Sequence, residues 1–455
     1  MEKLKTLLLT VLVIASLLLS LGIWSITPQY ESIDGPQFSS NIATTDPSFE
    51  RTLNNVLSPR AVLLHSDQGK HKALFPGQSG YSAGMELLAD ASLFDIKIDT
   101  KFTDEEWKRT IGEKKSVQYD FDAVIPINML NEMGTLHFTS RVEPLMNVRT
   151  IYLYANGESE FRVVFVEDAE TVYSANVVLS KDRFQALYEE QKDAPAYALY
   201  GDSLKRHYFL PVARLKLHAY TIDVNQGIEM GRLVDSFFLD RSLTRRVVER
   251  DGSEIVTDGN RLVRVDSKGK MIEYRNLNVE KMRRNQLDED MSIAKALDFA
   301  NAHGGFLGQV TIHQMRTIRP NDLDVDGRQF DFRPTVAGLQ VIGNLSSAAI
   351  LVIDNDVAAF RRSPYMVGGK PVQGAEQEIL SGEEVMSLVE NNALLRPDRI
   401  SDIYLAYLME SQSGQSSKLR PVWVIEQASD YREGVFDAVT GVQLQSEEVM
   451  LRGLE

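Results

Sequence analysis

Apolar positions follow three different patterns along the chain, and each predicts a different kind of element. The first pattern is an unbroken run: after MEKLK comes TLLLTVLVIASLLLSLGIWSI, Thr6 to Ile26, without one charge. At about 1.5 Å per residue such a helix measures about 30 Å, the thickness of a hydrocarbon core, so a membrane-spanning helix is expected. The second pattern is short alternating or continuous apolar stretches, AVLLH, VQYDFDAVIPI, TIYLYAN and FRVVFVE, which read as strands. Helical spacing at residues 83–92 and 181–190 interrupts them, so residues 56–205 form an α+β domain.

Alternation then dominates. Leu215, Leu217 and Ala219 alternate with Lys216, His218 and Tyr220, and RRVVERDGSEIVTDGNRLVRVDSKGKMIEYR carries turns at Asp251-Gly252, Asp258-Gly259 and Lys268-Gly269. Tight hairpin turns need positive φ, which glycine adopts without strain, so a β-meander is predicted and residues 206–284 read as an all-β domain.

The third pattern is an amphipathic helix followed by strands, and it occurs twice. DEDMSIAKALDFANAHGG precedes FRPTVAGLQVI and AAILVIDNDVAAF; SGEEVMSLVENNAL, starting at Ser381 or Gly382, precedes LRPVWVIEQ and EGVFDAVTGVQL. Each copy has a strand opened by Arg-Pro, at Arg333-Pro334 and Arg420-Pro421. Residues 285–455 are therefore expected to form a C-terminal α+β domain of two related helix-plus-sheet halves. The whole reads as α+β: residues 1–30 a cytoplasmic start and span, 31–55 a lead-in, then a multi-domain ectodomain of antiparallel sheets with packed helices.

Charge orients the span. Lys3 and Lys5 precede it while Glu31 and Asp34 follow, which keeps the N-terminus cytoplasmic and places the remainder outside, with Trp24 and Tyr30 at the outer interface. A cleaved signal peptide shares the basic start and apolar run, but no A-x-A site follows, and Ser20-Leu21-Gly22 is a poor substitute. At 100° per residue, Thr6, Thr10, Ser16 and Ser20 fall near about 0°, 40°, 280° and 320°, one hydroxyl stripe on the span. Such a stripe is a candidate contact for a partner helix, although Ser and Thr also bond back to their own helix.

Composition removes several classes. The 455 residues carry 64 acidic against 49 basic side chains, net charge -15, which argues against nucleic acid. Without a cysteine there is no disulfide, thiolate metal site, thiol nucleophile or lipoprotein anchor.

Three motifs invite chemistry. Asp322, Asp324, Asp326 and Gly327 open like a calcium loop, but its ninth position is Phe330 and its twelfth Arg333, where a bidentate carboxylate belongs. A hairpin turn fits better, with at most a weak irregular calcium site. Gly80-Tyr81-Ser82-Ala83-Gly84 matches a nucleophile elbow, yet Pro76 and Gly77 stand where the buried strand should enter. The histidines His137, His207, His218, His303 and His313 lie downstream of Ser82. Gly304-Gly305-x-x-Gly308 follows a helix, where a C-cap explains it better than phosphate binding. No enzyme, cofactor or metal site is expected.

The short basic start, the span leaving through Trp24, Pro28, Tyr30 and Glu31, and a cysteine-free ectodomain ending in PVWVIE and VFDAVTG together resemble the YycH family of low-GC Gram-positive bacteria. That resemblance implies a non-catalytic, single-pass cell-membrane regulator of the WalK/WalR (YycG/YycF) two-component system, which controls cell-wall metabolism. It implies a YycI-type membrane protein as partner, similar to the C-terminal portion, and contacts between transmembrane helices and the sensor kinase. The alternative is an anchored extracellular module that binds a ligand or peptide, which a pocket would favour.

Overall fold

In a computed structural model of the chain, the described residues are Lys5 and Ser16, both helical, and 51–444. Short stretches at 140–145, 158–159, 169, 227–228, 279–288, 307, 320–325, 344–346, 354–355, 411–415 and 428–432 are excepted. Lys3, Thr6, Thr10, Ser20, Trp24, Tyr30, Asp322 and Asp324 thus lie outside the described residues. Among the described residues no helix is long and apolar enough to cross a membrane. The chain separates into two units, Met1–Ser39 and Ser40–Glu455, and the account below concerns the second.

In chain order it begins with α1 (Leu53–Val56), β1 (Ala61–His65), β2 (His71–Leu74), α2 (Ser79–Ala89), β3 (Ser92–Ile98), α3 (Asp104–Gly112) and β4 (Ser116–Pro126). Then follow α4 (Ile127–Glu132), β5 (His137–Phe138), β6 (Asn147–Ala155), β7 (Phe161–Val166), β8 (Val172–Val178), α5 (Lys181–Glu190), β9 (Ala196–Ser203) and β10 (Arg206–Pro211). The ten strands form one sheet in the order β10-β9-β2-β1-β4-β6-β7-β8-β3-β5, parallel between β3 and β5.

Period-2 alternation gives this sheet two distinct faces. On one, α2 and α5 cover Val62, Tyr119 and Phe161: the Tyr119 hydroxyl donates to the Gly84 carbonyl at 2.8 Å, and the Phe184 ring lies 5.0 Å from Phe161. Helix α2 starts four residues earlier than expected, and it lies close on β1, where a Cβ at Gly84 would fall 2.9 Å from Val62 Cγ1. On the other face, Trp107 of α3 is fully buried and its Nε1–H donates to the Tyr152 hydroxyl at 3.2 Å. The rest of that face meets a second sheet.

The second sheet is built from β11 (Leu215–Gln226), β12 (Arg245–Val248), β13 (Glu254–Thr257), β14 (Arg261–Val265) and β15 (Ile272–Asn276), with α6 (Met230–Asp235) between the first two. After α7 (Glu289–Ala302) come β16 (Val310–Ile318), β17 (Gly327–Val336), β18 (Leu339–Ile342), β19 (Ala348–Ile353), β20 (Asp356–Arg362) and β21 (Tyr365–Ile379). Helix α8 (Gly382–Asn391) then leads to β22 (Ile400–Glu410), β23 (Ser416–Gln427) and β24 (Glu433–Asp437). The order is β12-β13-β14-β15-β20-β19-β17-β18-β22-β23-β11-β21, with β16 on β17 and β24 on β23.

The meander predicted from its glycines is β12–β15, and Gly252, Gly259 and Gly269 have φ of +86°, +89° and +64°. The strands of residues 206–284 do not make a sheet of their own: β10 completes the first sheet, while β11 and β12–β15 stand toward opposite ends of the second. Helix followed by antiparallel hairpin does occur twice, as α7–β16–β17 and α8–β22–β23. The Arg-Pro pairs lie inside β17 and β23 rather than opening them. Helix α8 starts at Ser381, whose side chain and that of Glu384 form a reciprocal capping box.

Where the sheets approach, Gly338 in the β17–β18 hairpin has φ +81°, and a Cβ there would overlap the Pro76 carbonyl oxygen. Gly338→Ala is expected to cost about 1–3 kcal/mol through left-handed strain alone, with the overlap adding to it. A urea midpoint unchanged from the parent would show that the sheets are not held at this distance.

Candidate functional site

The junction between the sheets is polar where a core would be apolar. Arg60 sits one residue before β1, and its Nη1 lies 2.6 Å from Asp402 Oδ2 and 3.4 Å from Asp122 Oδ1. Its guanidinium carbon lies 5.1 Å from the centre of the Tyr404 ring. Both carboxylates occupy irregular pairing: β4 and β6 shift register between Asp120 and Ile125, and β22 and β23 between Ile400 and Asp402. Such bulges re-aim side chains that regular alternation would send elsewhere.

The network runs on through the second sheet. Gln340 Nε2 donates to Asp122 Oδ2 at 2.7 Å, and Arg333 Nη1 donates to Gln340 Oε1 at 3.2 Å and to the Tyr404 hydroxyl at 2.7 Å. Tyr404 in turn donates to Glu426 Oε1 at 2.8 Å, and His313 Nε2 stands 3.7 Å from the same oxygen. Burial opposes the charge on Arg60, but Asp402 and Asp122 outweigh it and hold the guanidinium pKa well above its ordinary value. Burial likewise works against the Asp402 carboxylate, and Arg60 overrides it, leaving the pKa below the usual value. Asp122 goes the other way, raised by burial against the pull of Arg60.

Beside this network, on the same face of the first sheet, two histidines are in direct contact. His65 Nδ1 lies 2.8 Å from His71 Nδ1, His65 Nε2 lies 3.0 Å from Gln118 Oε1, and Gln118 Nε2 donates to Asp120 Oδ1 at 2.8 Å. Because the Gln118 oxygen must accept, His65 carries its proton on Nε2 and accepts at Nδ1, so His71 carries its own on Nδ1. The result is a directed chain of neutral donors, His71 to His65 to Gln118 to Asp120, ending on a carboxylate. Burial holds His71 down to about 4, and burial and then the neighbouring His71 hold His65 well below the usual range.

Between the chain and the network lies a cavity of about 80 Å³, with Asp120, Asp402 and Arg60 in its wall. Neither Ser82 nor Asp326 lines it. Ser82 is an exposed residue of α2, and among the described residues no hydrogen bond joins it to a histidine. Asp326 accepts from Arg319 Nε at 3.0 Å in the connection from β16 to β17. Arg333, the residue that spoils the calcium motif, is 5 % exposed and belongs to the network.

The glycines after α7 have a clear role. Gly305 N–H donates back to the Ala300 carbonyl at 2.8 Å, ending the helix, and the loop then turns its carbonyls toward two buried arginines. Arg362 Nη1 bonds the carbonyls of His303, at 3.0 Å, and Gly305; Arg51 Nε and Nη2 bond that of Gly308 at 3.2 and 2.6 Å. A loop presenting acceptors holds cations and not phosphate. Asn301 completes the clamp on Arg51: its amide accepts from the Arg51 N–H at 3.0 Å and donates to the Arg51 carbonyl at 2.9 Å.

Arg60, Asp122 and Asp402 carry no local signature, since their spacing means nothing until the sheets pack. Comparison with known proteins shows the family. The family model for the YycH protein N-terminal domain matches residues 2–196, and that for the C-terminal domain residues 205–433. The chain is 23% identical over 457 residues to the two-component system WalR/WalK regulatory protein YycH of Bacillus subtilis (strain 168), covering 93% of this chain and 94% of that protein. The crystal structure of YycH from Bacillus subtilis is similar in fold, with TM-score 0.65 at 18% identity, covering 88% of this chain and 98% of that one. With the two domain models together spanning most of its length, the chain belongs to the YycH family.

Proposed function

We propose that this chain is a non-catalytic, membrane-anchored regulator of a sensor histidine kinase of the WalK type, acting with a YycI-type partner in control of cell-wall metabolism. The relative's name as a WalR/WalK regulatory protein supports the signalling role. The apolar run Thr6 to Ile26, flanked by Lys3 and Lys5 before it and Trp24 and Tyr30 after it, supports a single span with the large domain outside. Thr6, Thr10, Ser16 and Ser20 are the proposed contact with the kinase helices, and the domain boundaries are those drawn from the sequence.

One structural observation carries the mechanism. Arg51, near the end of the lead-in, is fastened to Asn301 of α7 and to Gly308, 250 or more positions along the chain. The chain is therefore fastened at Arg51 to the C-terminal half, and on this reading a rearrangement there is passed along the chain toward the kinase contact. Such coupling acts only through different affinities for two kinase states, usually about 1–3 kcal/mol.

Co-purification from solubilised membranes tests this, comparing the intact protein with a version whose residues 1–30 are exchanged for an unrelated span. The expected result is recovery of the kinase by the first and loss by the second. Equal recovery would move the contact to the outer domain, and recovery by neither would remove the kinase from the account.

A further inference from the structure

The cavity at the junction has one positive and two negative side chains in its wall, Arg60, Asp120 and Asp402. Arg60 and Asp402 satisfy each other at 2.6 Å, and Asp122 lies 3.4 Å from the same guanidinium nitrogen. Asp120 is in a different position. One of its oxygens accepts from Gln118; Arg60 and His207 feel its charge, but among the described residues no ion pair at salt-bridge distance reaches it. Tyr197, which lines the same space, is 7 % exposed, and its hydroxyl has no hydrogen-bond partner among the described residues. Phe75, Tyr208, Phe209, Trp423 and His207 also line it, among aliphatic residues.

We propose that this cavity binds a small organic cation, an ammonium head group of a few heavy atoms, seated on the Asp120 carboxylate and the Tyr197 hydroxyl against the aromatic wall. A carboxylate at a partly buried site lowers its energy by pairing with a cation, and aromatic faces attract the same charge. The donor chain from His71 consists of neutral groups, so it orients Asp120 through one oxygen without cancelling its charge. Size limits the ligand: a space of about 80 Å³ admits several waters or one small head group. A bound cation would touch both sheets at once, since Asp120 belongs to β4 and Trp423 to β23. The inference goes beyond the kinase reading and does not depend on it.

The test is a thermal melt of the full chain in detergent, titrated with methylammonium, ethylammonium or tetramethylammonium chloride against sodium chloride of equal ionic strength. At least one cation is expected to raise the midpoint saturably, with its affinity falling about tenfold or more in Asp120→Asn, the scale of a charge-assisted hydrogen bond. Should Asp120→Asn fail to fold, Tyr197→Phe serves as the second variant, with an expected loss of about threefold or more. No saturable shift with any cation, or a shift untouched by either variant, would leave the cavity a water site. An equal shift with sodium acetate would show that the cavity selects no cation.

Discussion

Arg60→Met is expected to lower the unfolding free energy by about 3–5 kcal/mol, the cost of leaving a buried partner charge uncompensated. Asp402 and Asp122 both lean on this guanidinium, and their side chains are only 14% and 4% exposed. The double variant Arg60→Met with Asp402→Leu is expected to recover most of that loss, because the pair is replaced by apolar groups of similar size and Asp122 keeps its bond from Gln340. Urea unfolding of the three proteins measures both steps. A single-variant loss below about 1 kcal/mol would place the cluster in the class of solvated surface pairs. A double variant no better than the single would mean that Asp122 carries the dependence on Arg60.

Lowering the pH from 7 to 5 is expected to destabilise the protein strongly. His65 and His303 are fully buried, and both are held below the ordinary histidine value, His303 by burial and then Arg362 to about 3. The sign follows from proton linkage. Below about pH 6.5 the unfolded chain takes up protons that the folded chain refuses, so stability falls as pH falls, until the folded pKa is reached. At pH 5 that amounts to about 2 kcal/mol for each histidine kept neutral, about 4 kcal/mol for these two. His71 and His313 act in the same direction, His313 through burial and then Arg333. Asp122 opposes them, since its raised pKa lets the folded state accept a proton first. The expected total is a large part of the 5–15 kcal/mol typical of a whole domain. Denaturant midpoints across this range check it, and His303→Gln is expected to flatten the slope by about 1.4 kcal/mol per pH unit. A stability flat from pH 7 to 5 would show that these histidines gain protons without opening the fold.

How much of this was legible depended on the distance over which each interaction acts. The β12–β15 turns were legible because three glycines announce positive φ within their own hairpins. The start of α8 was legible to within one residue, as Ser381 or Gly382, and the bond between Ser381 and Glu384 decides for a cap at Ser381. The glycines after α7 were legible as a helix end, yet not as a clamp, because Arg51 and Arg362 reach them from distant parts of the chain. Arg333 was visible only as an intruder in a calcium motif; its role depends on Gln340 and Tyr404. The cavity was not legible at all, since its walls come from two sheets.

The sequence alone determined what depends on local order and composition: an α+β chain with an uncharged run at its start, a meander, two helix-plus-hairpin halves and membership of a family. Only the tertiary structure decided which polar residues meet. Backbone periodicity assigns a side chain to a face, but a bulge re-aims it and the packing of two sheets chooses its partners. For that reason Arg60 and Asp402, 342 positions apart, became a pair.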